Sequence, residues 1–446
     1  MARKQKENYI LKNEPYLLEP FFKTIVHFFP KFDKWIDNIK DPRNILRIIY
    51  PKEFMLWIGI LMFSCKLSSR RQIKFQFNTQ NFLYNLNNCS QIELQLDTIP
   101  HPDTINYFYS KLDTKYLERF NNKMLQRLIR SKSLEKFRLE GYYLIVIDGT
   151  GHLTFRERHC EHCLSYTYEN GKTIYYHKIV AAKLVTDTGM AFSLVTEFIE
   201  NTKEDQEIQD CELAACYRLL ERLKNIYPQL KICLLMDSLY ANQTIFKIAE
   251  KNKWKYIINF KEGSIPYIAQ EAYALSLLLP ENNKTIIKKE DNIIQKFNWV
   301  WDINYENYLI NYIKCVEKSI DKVTTFEWIT NFQVNQQNVD ILANKGGRQR
   351  WKIENQGFNM QKNSGYNLEH AYSIDYCGMK NFYLLMQIAH NINLLVEHGN
   401  LFENIIKTFG SIKNIASRLL EELKNYKFDF PKFEYCYSFY IKLDSS

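Results

Sequence analysis

The rhythm of hydrophobic and polar positions changes three times along the chain. Up to about residue 140, apolar positions recur at helical spacing between short polar breaks. The longest apolar run, Phe54 to Cys65, lies between Lys52-Glu53 and Lys66. Twelve residues are too few to cross about 30 Å of hydrocarbon as a helix, so the run predicts a buried core helix. "SSRRQIKFQFNTQNFLYNLNN" is basic with interleaved aromatics, and "HPDTINYFYSKLD" opens on a Pro-Asp-Thr helix start. These segments predict either a plain helical bundle or one containing a helix-turn-helix-like pair.

From Gly141 the pattern turns to strands. Tyr142 to Ile147 read as a buried strand that leaves the core at Asp148. "HKIVAAKLV" and "MAFSLVTEF" flank "TDTG", a hairpin with Gly189 free to take positive φ. A helix follows over "EDQEIQDCELAACYRLLERLKNIYP", acidic in its first turns and stopped by Pro228. "LKICLLMDSLYAN" repeats the earlier theme, an apolar strand ending on Asp237. A helix over residues 243–251 and the strand "KYIINFK" come next. This order predicts a mixed α/β sheet in which the strands bearing Asp148 and Asp237 are neighbours.

Residues 280–338 break the alternation. "IIQKFNWVWDI", "YLINYIKCVEKS" and "TTFEWITNF" are aromatic and β-branched, which predicts an antiparallel insertion. The chain then becomes helical through "NKGGRQRWKIENQGFNMQKNSGYNLEH". The divisions expected are a helical region at 1–140, a core at 141–279 and 339–400 split by the insertion at 280–338, and a helical C-terminal region at 401–446.

Composition changes this picture little. At 46% hydrophobic and 24% charged, the 446 residues are ordinary for a globular protein, and the net charge of +9 favours polyanions without demanding them. "MARKQKENYI" has no apolar stretch behind it and no run is long enough to span a bilayer, so a cytoplasmic protein without membrane contact is expected. The ten cysteines show no framework spacing, in keeping with free thiols in a reducing compartment.

Candidate chemistry begins with three acids. Asp148 and Asp237 end strands, and Glu354 sits on a helix with Arg348, Arg350, Lys352 and Lys362 around it and Trp351 close by. Arg350 and Glu354, four apart, share a helical face that Phe358 and Gln361 continue. An exposed ion pair would suffice to explain them alone. Three converging carboxylates would instead need a strong cation, and hard oxygen ligands suit Mg²⁺ or Mn²⁺.

"VIDGT", "LLMDSLYAN" and "RWKIENQGFNMQKNSGYNLEH" resemble the three acidic motifs of bacterial insertion-sequence DDE transposases that carry a β-rich insertion before the glutamate. The resemblance covers about residues 141–399. It implies a ribonuclease-H-like core, catalysis by Asp148, Asp237 and Glu354 with two Mg²⁺ or Mn²⁺ ions, and cut-and-paste chemistry on transposon ends. It also implies double-stranded DNA as partner, a dimer holding two ends, and location with the bacterial nucleoid when DNA is bound. In the best-known branch a tyrosine, an arginine, the glutamate and a lysine keep fixed spacing. Arg350 and Glu354 fit it, whereas Gly347 replaces the tyrosine and Gln361 the lysine, with Lys362 displaced by one. Two rival readings are a DNA-binding descendant that has lost catalysis and a nuclease that hydrolyses without joining.

Other features carry paired readings. In "HCEHC", His159, Cys160, His162 and Cys163 either bind zinc, with His152 or His177 as further candidates, or are free thiols and loop histidines. Trp299 and Trp301 alternate with Val300 and so should share a strand face, there stacking on a flipped base or filling the core of the insertion. Arg70 and Arg71 in "SRRQIKFQF" either contact DNA or form a solvated basic face. Glu197, Glu200 and Asp205 rank below Glu354 because no basic helix surrounds them.

Overall fold

The computed structural model describes residues 17–443 apart from 92–94, 203–207, 289, 291, 403–407 and 431–440. Asp205 and most of the expected C-terminal region beyond 430 therefore lie outside the described residues. Among the described residues, ten strands form one mixed sheet: β1 (Tyr143–Phe155), β2 (Leu164–Thr167), β3 (Thr173–Val185), β4 (Ala191–Ile199), β5 (Ile232–Met236), β6 (Lys255–Asn259), β7 (Asn283–Lys288), β8 (Ile293–Tyr305), β9 (Tyr308–Lys318) and β10 (Val323–Thr330).

The order across the sheet is β2-β3-β1-β5-β6-β10-β9-β8-β7, with β4 also on the outer side of β3. The hairpin expected around Gly189 is β3-β4, antiparallel, with Gly189 at φ +98°. β1, β5 and β6 are parallel neighbours, joined through helices Glu212–Ile226 and Gln243–Asn252. The first of these helices begins later than its acidic run suggested.

The four strands of the 280–338 segment extend this sheet. β10 pairs antiparallel with β6, Ile329 facing Ile258, and β9, β8 and β7 follow in order. An edge strand left bare would present unpaired backbone groups, and β10 satisfies those of β6.

The apolar run is the helix Lys52–Ser64, buried from Phe54 to Ser64 as expected of a core helix. It packs on Tyr376–His398, which is buried on all sides from Gly378 to Val396 apart from Lys380. Helices Pro102–Lys111 and Thr114–Arg130 flank the same axis, and β4 closes its other side. Buried amide N–H groups on this helix find acceptors: Asn381 donates to the carbonyls of Tyr109 and Leu112, and Asn391 to Asn121 and Ser193. One hydrophobic core thus runs from the N-terminal helices into the sheet across residue 140. No helix among the described residues is long and apolar enough to cross a membrane.

Candidate active site

The pairing of β1 with β5 covers Tyr143 to Val146 against Ile232 to Leu235 and then stops. β1 does not end at Asp148, as its sequence suggested, because β3 continues to pair with its other edge, Asp148 facing Ala181. Asp148 nevertheless lies just past the parallel contact, and Asp237 directly follows β5. Both acids therefore stand where the parallel pairing of β1 and β5 runs out, the position at which sheets of this kind open a crevice.

Each carboxylate is held by local hydrogen bonds. Asp148 Oδ1 accepts from the Gly149 N–H at 2.9 Å, and its Oδ2 lies 3.5 Å from Arg350 Nη1. Asp237 caps the short turn Ser238–Tyr240, accepting from the Ser238 N–H and, at 2.9 Å, from its hydroxyl. Burial pushes the Asp148 carboxyl up to about 6, opposed by Arg350 and the Gly149 N–H and reinforced by Glu212 and Asp237.

Residues 339–363 form the facing wall as an irregular helix. Wide π-type turns at Leu342–Gly346 and Ile353–Asn359 flank a tight 3-10 turn at Gly347–Arg350. A cleft of about 620 Å³ opens between this wall and the strand ends, lined by Asp148, Asp237, Arg350, Glu354, Asn359 and Lys362 among others.

The π-type turn decides which basic residue reaches the cleft. Its i to i+5 hydrogen bonding accommodates one residue more than an α-turn. Lys362, eight after Glu354, accordingly lines the cleft, while Gln361 is fully buried and donates to Gln387 Oε1 at 2.8 Å. Gln361 therefore does not continue the Glu354 face, as straight α-helical counting suggested. Gly347 is needed for packing: a Cβ there would come 2.3 Å from Trp328 Nε1, on β10.

The other basic candidates divide. Arg348 turns away from the acids to Glu317 on β9, with contacts of 2.5 and 3.0 Å, and stacks 4.5 Å above the Phe326 ring. Lys352 donates to the backbone carbonyls of Thr186 and Asp187 in the β3-β4 turn. Lys362 reaches Glu369 at 2.7 Å across the cleft rim, and Trp351 is half exposed beside Arg350. Arg70 donates to the Tyr372 carbonyl at 2.9 Å and so ties the N-terminal helices to the 370s, whereas Arg71 is exposed.

Trp299 and Trp301 do not share a face. A bulge between Val300 and Ile303, with Asp302 at φ +53°, breaks the alternation. Trp299 is buried in the insertion, and Trp301 turns outward with its indole N–H on the Val334 carbonyl. His162 also leaves its expected group: its Nδ1 lies 2.8 Å from the Asn201 carbonyl and its ring stacks on Tyr376. His159, Cys160 and Cys163 do converge, and His177 of β3 joins them.

The sequence reading missed Glu212. This residue opens the helix Glu212–Ile226, accepts from the Tyr240 hydroxyl at 2.8 Å and packs on Gly149, where a Cβ would lie 2.4 Å from its carboxylate. The signal was the glycine beside Asp148, which in sequence looks like any turn glycine. Glu197 is engaged by Arg218 and Arg222, and Glu200 by Lys380 and Tyr376, so both act as structural ion-pair partners.

The cleft offers hard oxygen donors, three carboxylates with the side-chain amides of Asn355 and Asn359, and its lining includes no thiol or imidazole. That set fits Mg²⁺ or Mn²⁺ and not a softer ion. The three carboxylates share the cleft without approaching one another within 4.8 Å as a group; among the described residues only the His/Cys cluster does so. No protein-family model matches the chain, and no curated protein matches it significantly.

Proposed function

We propose that the chain is a DDE transposase with a ribonuclease-H-like core, which cleaves DNA at the ends of its own element and joins them to target DNA. The observation that carries this reading is the single cleft in which Asp148 and Asp237, just past the parallel pairing of adjacent strands, face Glu354, Arg350 and Lys362. An antiparallel β4-β3-β1 meander continued by two parallel crossovers to β5 and β6 supports the ribonuclease-H-like assignment.

Two departures from the best-known transposase helix have local reasons consistent with the reading. The buried Trp328 fills the space beside Gly347 where a tyrosine would project. The π-type turn brings Lys362 to the cleft one residue later than an α-helix would.

In this function Asp148, Asp237 and Glu354 would hold two divalent cations. Such ions supply Lewis acidity at the scissile phosphate and stabilise both the attacking and the leaving oxygen. Arg350 and Lys362 neutralise charge on the phosphate, and the buried position of Arg350 strengthens that effect by excluding water. Trp351, half exposed beside Arg350, offers an aromatic face to an unstacked base. Double-stranded DNA is the substrate, and two copies of the chain would hold two ends.

The test uses the DNA flanking the protein's own gene as substrate, with products mapped to the nucleotide. Cleavage at a matched pair of inverted sequences is expected, only with Mg²⁺ or Mn²⁺, and lost in Asp148→Asn, Asp237→Asn and Glu354→Gln while binding stays within a few-fold. Full cleavage by Asp237→Asn overturns the assignment. Tight binding without cleavage by the wild type would identify a DNA-binding descendant, and cleavage without joined products a nuclease.

A further inference from the structure

We propose that His159, Cys160, Cys163 and His177 form a closed structural zinc site that fastens the β1-β2 connection to β3. The sequence offers the Cys-x-x-Cys pair and four candidate histidines, and the fold selects His159 and His177 from them. His159 stands one residue before the first cysteine, and His177 enters from β3, where it pairs with Leu153 of β1.

The geometry is that of a tetrahedron without its centre. With bonds of about 2.3 Å to sulfur and about 2.05 Å to nitrogen, tetrahedral zinc sets edges of about 3.8 Å between two sulfurs and about 3.6 Å between sulfur and nitrogen. Cys160 Sγ and Cys163 Sγ are 3.5 Å apart. Both lie 3.6 Å from His177 Nε2, and Cys163 Sγ is 3.2 Å from His159 Nδ1. All four ligand atoms lie within 4.8 Å of one another, and both cysteines are free.

Hydrogen bonding alone explains the cluster poorly. Thiols are weak donors and acceptors, yet here two of them and two imidazoles point at a common centre, with Cys163 and His177 buried. Binding Zn²⁺ displaces the two thiol protons, so two thiolates balance the ion's charge and leave a neutral site compatible with that burial.

Four protein ligands leave no open coordination position, which marks a structural rather than a catalytic ion. The position agrees. β1 carries the chain seven residues from Asp148 to Phe155, roughly 23 Å along an extended strand, before the cluster begins. Phe155 packs on His159, with ring centroids 4.0 Å apart, so the ion would hold the far end of the strand that bears the first acid.

The decisive experiment measures metal on the full chain purified from zinc-supplemented medium without chelators. One zinc per chain is expected, with near-complete loss in Cys163→Ser and in His177→Ala and retention in His162→Ala. Because the variants could fail to fold, the wild type is also reconstituted with Co²⁺, where thiolate-to-cobalt charge transfer and intense tetrahedral d–d bands are expected. Absence of zinc together with absence of those bands overturns the proposal, as does zinc content unchanged in both Cys163→Ser and His177→Ala.

Discussion

Replacing Asp148 by Asn should stabilise the folded protein at neutral pH in the absence of divalent cations. Burial raises this carboxyl from 3.8 to about 6 even with Arg350 3.5 Å away, so its ionised form is a net burden on the fold. Between those values the folded carboxyl keeps a proton that the unfolded chain has lost. Stability therefore falls as pH rises through the window from 3.8 to about 6 and stays reduced above it. Roughly two pH units at about 1.36 kcal/mol each give a deficit of about 3 kcal/mol at pH 7. The side chain is 21% exposed, so solvent screening trims this figure without removing it. An asparagine stays neutral throughout and has no such deficit. Urea or thermal unfolding of both proteins from pH 4 to pH 7.5, with chelator present, should show curves that coincide near pH 4 and separate as pH rises, the variant more stable. Mg²⁺ should then narrow the gap by stabilising the wild type. Curves that remain parallel across this range, or a variant less stable at pH 7, would refute the claim that the buried charge of Asp148 strains the fold.

Lys362→Ala should lower cleavage at least tenfold with little change in melting temperature, whereas Gln361→Lys should fail to restore it and should destabilise the fold, since it buries an ammonium beside Gln387; paired kinetic and thermal assays check both. Gly347→Ala should cost about 1–3 kcal/mol through overpacking against Trp328, read from denaturant midpoints, and an unchanged midpoint would show that the indole moves freely. Arg348→Ala should destabilise by about 1–3 kcal/mol by removing the paired contacts to Glu317, and Glu317→Gln combined with it should add less than its own separate effect in a double-mutant cycle.

The same contrast between local pattern and assembled neighbours explains what could be read from the chain. The β3-β4 hairpin, the core helix Lys52–Ser64 and the strand segments before Asp148 and Asp237 were legible because each depends on periodicity and turn chemistry within a short window. The alternation of β8 failed at Trp301 because a bulge is set by what the partner strand and the packing require, not by the strand's own residues. Helical counting failed at Gln361 for a related reason. The wide turn at Ile353–Asn359 exists where the helix meets the sheet, and sequence spacing assumes a uniform α-helix.

What the sequence determined by itself was therefore the strand segments leading to Asp148 and Asp237, the β3-β4 hairpin, the core helix Lys52–Ser64 and an acid, Glu354, on a helical segment with basic neighbours; it did not mark β2, β7 or the helix Pro266–Leu278. Tertiary structure alone decided which of their neighbours share a space. It turned Arg348 to Glu317 and Lys352 to the β3-β4 turn, brought Glu212 onto Gly149 from a distant stretch of the chain, and selected His159 and His177 over His152 and His162 for the His/Cys cluster. Each of these depends on strand register and helix phase across long stretches of chain, where one residue of shift moves a side chain to another face.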